Sequence, residues 1–178
     1  MAERKNFLIP ECYVDTNILK TLFRLDGVNH QHCCSKVMKC MSLKFSEGFA
    51  VGVVDDDKRK ASGSEDFVEL AQSPHLIMMK HKSRMHFLFF VHKAAEDFLL
   101  SCAREQNINM ADFGLPDDLE GLKMVTKNIE SDKEPRIRKL VNALRDSSEM
   151  ARLQRSIDYL LEKQYQTDIK ELVRLFNQ

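Results

Sequence analysis

Apolar residues recur along this chain with two periods, and the change of period divides it. Up to about residue 104, short unbroken apolar runs alternate with stretches of helical spacing, and beyond that point only helical spacing remains. Residues 11–15 are rich in β formers and predict a first strand that ends in an acid. Thr16-Asn17 then offers an N-cap, with Ile18, Leu19, Leu22 and Phe23 at helical spacing behind it. Residues 30–45 predict a second helix with Val37, Met38, Met41 and Phe45 on one face. Residues 49–54 form a near-continuous apolar run, which marks a strand covered on both faces.

Residues 65–71 carry Phe67, Val68 and Leu70 and predict a short helix. Residues 76–79 and 85–91 predict two more strands around a polar turn, His81-Lys82-Ser83-Arg84. A helix then runs from about Lys93 to Arg104. Pro116 and Pro135 each sit at a plausible helix start, the first followed by Asp117, Asp118 and Glu120. Leu153, Ile157, Leu160 and Leu161, then Ile169, Leu172, Val173 and Phe176, mark two further amphipathic helices.

Strands separated by helices imply an α/β fold with a mostly parallel central sheet of about four strands, flanked by helices. The expected organisation is an α/β core over residues 1–104 and a helical C-terminal extension over residues 105–178, packed on that core. The link between the third and fourth strands is short enough for a hairpin, which would reverse one strand against the parallel set.

With 178 residues the chain can bury about 70% of its unfolded surface. Lys and Arg total 27, as do Asp and Glu, so no overall field draws the protein to nucleic acid and any such contact needs a local basic patch. The five cysteines include no CxxC pair and read as free thiols in a reducing compartment. No apolar run approaches the ~20 residues that span a bilayer. The start lacks a signal-peptide core, so a cytoplasmic protein with no membrane partner is expected.

The chemistry gathers where the apolar run 49–54 stops, at Asp55-Asp56-Asp57-Lys58. In open α/β sheets the binding crevice lies outside the carboxyl ends of the strands. Adjacent carboxylates there repel one another, and Mg²⁺ (or Mn²⁺) relieves this, since hard oxygen ligands suit it. A right-handed crossover from the first strand would bring Asp15 beside Asp55 and Asp57. Glu96, just after the fourth strand, would join them. Asp55, Asp57 and Asp15 are therefore the candidate metal ligands, Asp15 and Glu96 the candidate catalytic acids, and Lys58 the candidate phosphate contact. A solvated turn is the plainer reading of the same residues.

A strand ending in an acid, a helical crossover, then an apolar strand ending Asp55-Asp56-Asp57 resembles the Toprim domain of topoisomerases, primases and OLD-family nucleases. In that family the first strand ends in Glu, and the position matched to it is Asp15. Ala95-Glu96-Asp97-Phe98 is similar to an acid-bearing helix start in some small members. The resemblance covers residues 11–104. It implies Mg²⁺-dependent phosphodiester chemistry on DNA or RNA, in a phage-defence or repair setting. Tyr13-Val14-Asp15-Thr16-Asn17-Ile18-Leu19 also looks like the opening of a PIN-domain ribonuclease, whose later acids would have to be Glu47, Glu96 or Asp97. A third reading is a catalytically silent module that binds a protein partner or a second copy of itself.

The remaining candidates are weaker. His30 and His32 beside Cys33 and Cys34 suggest zinc, without a second pair at usual spacing. His81, His86 and His92, with Lys80, Lys82, Arg84 and Lys93, read as a phosphate-contacting patch or as a charged strand edge. Arg136, Arg138, Lys139 and Arg145 make one helix basic.

Overall fold

The computed structural model describes residues 4–56, 63–128, 130 and 132–178. Among the described residues, seven strands and seven α-helices follow in chain order: β1 (Arg4–Lys5), β2 (Leu8–Pro10), α1 (Tyr13–Phe23), β3 (Gly27–Val28), α2 (Cys34–Lys44), β4 (Ala50–Asp55), β5 (Phe67–Gln72), β6 (Leu76–His81), β7 (His86–Val91), α3 (Ala95–Glu105), α4 (Leu119–Asn128), α5 (Pro135–Ala143), α6 (Ser148–Lys163) and α7 (Ile169–Phe176). The main sheet has five strands in the order β2-β4-β7-β6-β5, and β1 pairs with β3 in a separate two-stranded sheet. The fold is α/β with a mixed sheet. β4 pairs in parallel with β2 and β7, whereas β6 is antiparallel to β7 and to β5. Within this sheet β6 thus runs against the other four strands. The short link after His81 is a hairpin, as its length allows.

Period-two alternation in the central strands divides the core. Val51, Val53, Phe87, Phe89 and Val91 face one side, where α1, α3 and the C-terminal helices supply Ile18, Leu19, Phe98, Leu99, Leu140, Ile157 and Phe176. Ala50, Val54, Leu88 and Phe90 face the other side, where α2 supplies Val37, Met38 and Met41. The helices after residue 105 share one continuous apolar cluster with the strands.

Two expected elements differ. Residues 11–15 are not a strand. The strand is Leu8–Pro10, and α1 begins at Tyr13, so Asp15 lies in the first turn of a helix. The Cys12 thiol accepts the Asp15 N–H at 3.3 Å, and the Thr16 hydroxyl donates to the Cys12 carbonyl at 2.8 Å. Those local bonds start the helix ahead of the expected cap at Thr16-Asn17. Val14, Ile18, Leu19 and Leu22 then form its buried face, which outweighs the β preference of Tyr13-Val14. Residues 65–71, expected as a helix, instead hold β5, an edge strand whose register with β6 shifts between Glu69 and Ala71. Its apolar run is too short for periodicity to choose between helix and strand.

Gly52 lets α2 lie close on β4. A Cβ there would come 2.7 Å from Leu88 Cδ1, 2.9 Å from Met41 Sδ and 3.1 Å from Val37 Cγ1. Gly52→Val is expected to destabilise by about 1–3 kcal/mol through overpacking, with Tm falling roughly 2–4 °C per kcal/mol. Thermal unfolding followed by circular dichroism checks this, and an unchanged Tm would show that α2 is not tightly seated.

Candidate acidic site at the carboxyl edge of the sheet

Parallel pairing brings the exits of β2, β4 and β7 to one edge of the sheet. Glu11 follows β2 directly and is 2% exposed, and one of its oxygens accepts the Asp55 N–H at 3.1 Å. Asp15, 1% exposed, lies one helical turn further on. Asp55 ends β4. Glu96 stands in the first turn of α3, after β7, and accepts the Thr126 hydroxyl of α4 at 2.6 Å.

The protonation of Asp15 reflects how close these groups are. Burial pushes its carboxyl well above the usual carboxylate range, and the charges of Asp55, Glu11 and Glu96 push it further the same way. Its Oδ2 accepts the Cys12 thiol at 3.0 Å, a bond that acts in the opposite direction. Cys12, in turn, is raised by burial and by the charges of Asp15 and Asp55. Burial and neighbouring negative charge thus both favour the protonated form of Asp15.

Beside the acids opens a cleft of about 560 Å³, lined by Asp55, Asp56, His92, Lys93, Glu96, Lys123 and Lys127 among others. Lys93, Lys123 and Lys127 put ammonium groups in the same cleft as the carboxylates. Lys93 holds φ at 63°, a left-handed conformation unusual for a residue other than glycine. It joins β7 to α3 within the cleft. Asp56 holds the His92 ring, with Oδ2 at 2.8 Å from Nδ1.

The structure therefore brings Asp15, Asp55 and Glu96 together, as the sequence suggested, although Asp15 arrives from a helix and not from a strand end. Asp57 and Lys58 lie outside the described residues. Glu11, Thr126, His92, Lys93, Lys123 and Lys127 complete the surroundings. Glu11 had one available signal: a Pro in an apolar run marks an edge strand or a strand end, which puts Pro10 in β2 and the acid at its exit. Lys123, Thr126 and Lys127 had none, because their place depends on how α4 folds back against α3.

Most of the histidine patch is elsewhere. β7 begins at His86 and β6 ends at His81, so both lie at the opposite, amino edge of β4 and β7. His86 bonds the Phe45 carbonyl at 2.8 Å, and His81 Nδ1 accepts the N–H groups of Ser83 and Arg84 in the hairpin turn. Of that patch, His92 and Lys93 reach the acids. Glu47, which precedes β4, is also at the far edge. Of the expected basic helix, α5 carries Arg136, which pairs with Glu134 at 2.8 Å, whereas Arg145 lies beyond its end at Ala143 and donates to the Thr21 carbonyl at 2.7 Å.

Hard oxygen donors are the right chemistry for Mg²⁺. Among the described residues, however, no three His, Cys, Asp or Glu side chains stand in a ready-made coordination group. A Mg²⁺ ion here would have to be held by one or two carboxylates and its own waters, without a closed protein cage. Among the described residues no helix is long and apolar enough to cross a membrane. No family model, curated protein or solved structure matches the chain.

The raised Asp15 carboxyl fixes a sign for stability against pH. Unfolded, the group ionises at about pH 3.9; folded, it keeps its proton to higher pH. Between the two values the folded state binds more protons, so stability is full below the lower value and falls as pH rises. In chelator, Asp15→Asn should match the wild type near pH 4 and exceed it near pH 8, by several degrees in Tm. Melting curves of both proteins at the two pH values measure it, and equal Tm differences would mean that Asp15 is ionised in the fold.

Proposed function

We propose that this protein is a metal-dependent phosphodiesterase of nuclease type, with a Toprim-like arrangement of acids. One observation carries the reading: Glu11 after β2, Asp55 at the end of β4 and Glu96 after β7 come to one edge of the sheet around the buried Asp15. The resemblance asks for Glu at the end of the first strand. Glu11 occupies that position, so the apparent replacement by Asp15 disappears once the strand is taken as Leu8–Pro10.

In this reading Asp55 and Glu11, with Asp15 after loss of its proton, would hold Mg²⁺ or Mn²⁺ directly or through water. The ion, when bound, supplies charge stabilisation at a phosphoryl oxygen and a more acidic water. Glu11 would, on this reading, move a proton to or from the reacting oxygens. Lys93, Lys123 and Lys127 offset the charge of the incoming phosphodiester. Thr126 fixes the orientation of Glu96 by donating to its carboxylate. The second reading, a silent interaction module, is favoured by one observation, the lack of a preassembled coordination group among the described residues.

Labelled single- and double-stranded DNA and RNA incubated with Mg²⁺, Mn²⁺ or chelator separates the two. Cleavage that needs the divalent ion is expected. Glu11→Gln and Asp55→Asn are each expected to lose roughly 10²-fold or more of it, and millimolar Mg²⁺ should raise the wild-type Tm. No cleavage with any substrate and no effect of the divalent ion on Tm would leave the silent module standing, and full activity in both variants would remove these acids from the reaction.

A further inference from the structure

Two residues after Glu11 and two before Asp15, the Tyr13 ring stands 37% exposed at the start of α1. Its ring is stacked on His30, with centroids 4.4 Å apart and planes 14° from parallel. His32, also exposed, meets both rings edge-on, at 4.9 Å from His30 and 6.0 Å from Tyr13. Two hydrogen bonds fix the stack to the helix: His30 Nδ1 lies 2.8 Å from the Thr16 hydroxyl, which itself donates to the Cys12 carbonyl. Thr16 has a single hydroxyl proton and gives it to Cys12, so His30 Nδ1 is the donor. The backbone after β3 is tied to β2 as well, through Asn29 N–H to the Leu8 carbonyl and Gln31 N–H to the Pro10 carbonyl, each 2.9 Å.

This aromatic group lies on the β2 side of the acids, while the lysine-lined cleft lies on the β7 side. The order β2-β4-β7 separates those sides by two strand spacings, roughly 10 Å. We propose that Tyr13, braced by His30 and His32, is a stacking platform for an unpaired nucleobase, so that the acidic site takes single-stranded nucleic acid. The proposal rests on the nuclease reading and adds its substrate class.

A partly exposed ring already stacked on a second ring has little freedom left to lose when a ligand stacks on it. Bases stack on aromatic side chains without regard to sequence, because every base has a π face. In a duplex those faces are covered by neighbouring bases, so the ring reaches one only on a single strand or a frayed end. A strand with a base on Tyr13 would carry its backbone across the acids toward Lys93, Lys123 and Lys127.

The test uses the full-length protein with labelled oligothymidylate and with a blunt duplex of equal length, by fluorescence anisotropy, in EDTA and in Ca²⁺. Tighter binding of the single strand is expected, weakened about tenfold in Tyr13→Ala and retained in Tyr13→Phe. A second readout comes from the composition: there is no Trp, and the tyrosines are Tyr13, Tyr159 and Tyr165. Tyr165 bonds the Phe49 N–H at the far edge of the sheet, and Tyr159 accepts from the Asp168 N–H beside α7. Quenching of tyrosine emission by the oligonucleotide should therefore vanish in Tyr13→Phe, which still binds. This readout stands even where Tyr13→Ala fails to fold. No measurable single-strand binding, equal affinity for the duplex, or quenching that persists in Tyr13→Phe overturns the platform. Single-strand binding through Tyr13 without cleavage in Mg²⁺ or Mn²⁺ would remove the nuclease reading and leave the platform. Cleavage with none of the Tyr13 effects would do the reverse.

Discussion

Parallel hydrogen bonding on both sides of β4 forces three chain exits to a single edge of the sheet. Leu8, Ile9 and Pro10 lie opposite Val51, Gly52 and Val53, and Ala50 through Asp55 lie opposite His86 through Val91. Because the side-chain period is two, this register also decides which residues meet each layer of helices. Val51, Val53, Phe87 and Phe89 are committed to the side of α1 and α3, so α1 and α3 must begin at the same edge where the strands end. Glu11, Asp15, Asp55 and Glu96 follow from that geometry. A slip by one residue between β2 and β4 would exchange the side chains fitted to the two helix layers and disperse the acids at the same time. Core and site depend on the same pairing.

The parts legible in the sequence are those fixed by local signals. The runs 49–54 and 85–91 are apolar enough to be read as strands covered on both faces, and they are β4 and β7. Pro135 sits at the first turn of α5 as expected, with the Glu134 carboxylate accepting the Arg136 N–H. Local ambiguity hid the rest. Tyr13-Val14 favours a strand by propensity, and the Cys12 cap and the buried face of Ile18, Leu19 and Leu22 are what show that the helix has already begun. That single shift hid Glu11 behind Asp15. The reversal of β6 did not disturb the site, since β6 lies outside the three strands that build it.

The cations of the site illustrate a second limit. Lys123 and Lys127 are four apart on α4, an ordinary exposed spacing, and nothing local to them indicates an acid partner some thirty residues upstream. The bond from Thr126 to Glu96 makes the connection, and it exists because α4 turns back along α3. Charge patterns on helices show which side chains share a face. They do not show what that face is opposite.

Burial of a carboxyl among carboxyls is difficult to account for as a device for stability. Asp15 lies beside Cys12, whose thiol is a weak donor. The acids around it raise its affinity for a proton. An apolar side chain of similar volume would avoid the desolvation that every ionised form incurs there. The arrangement is comfortable in two states only. In one, a proton on Asp15 removes a charge, and stability falls as rising pH strips that proton away. In the other, which the proposed function requires, a cation would replace the proton and be shared by several oxygens. Proton and cation then compete for the same oxygens, so acid favours the first state and neutral pH the second. On the proposed reading, the cost of crowding carboxyls in the fold would be what a bound cation relieves, and its occupancy would rise with pH.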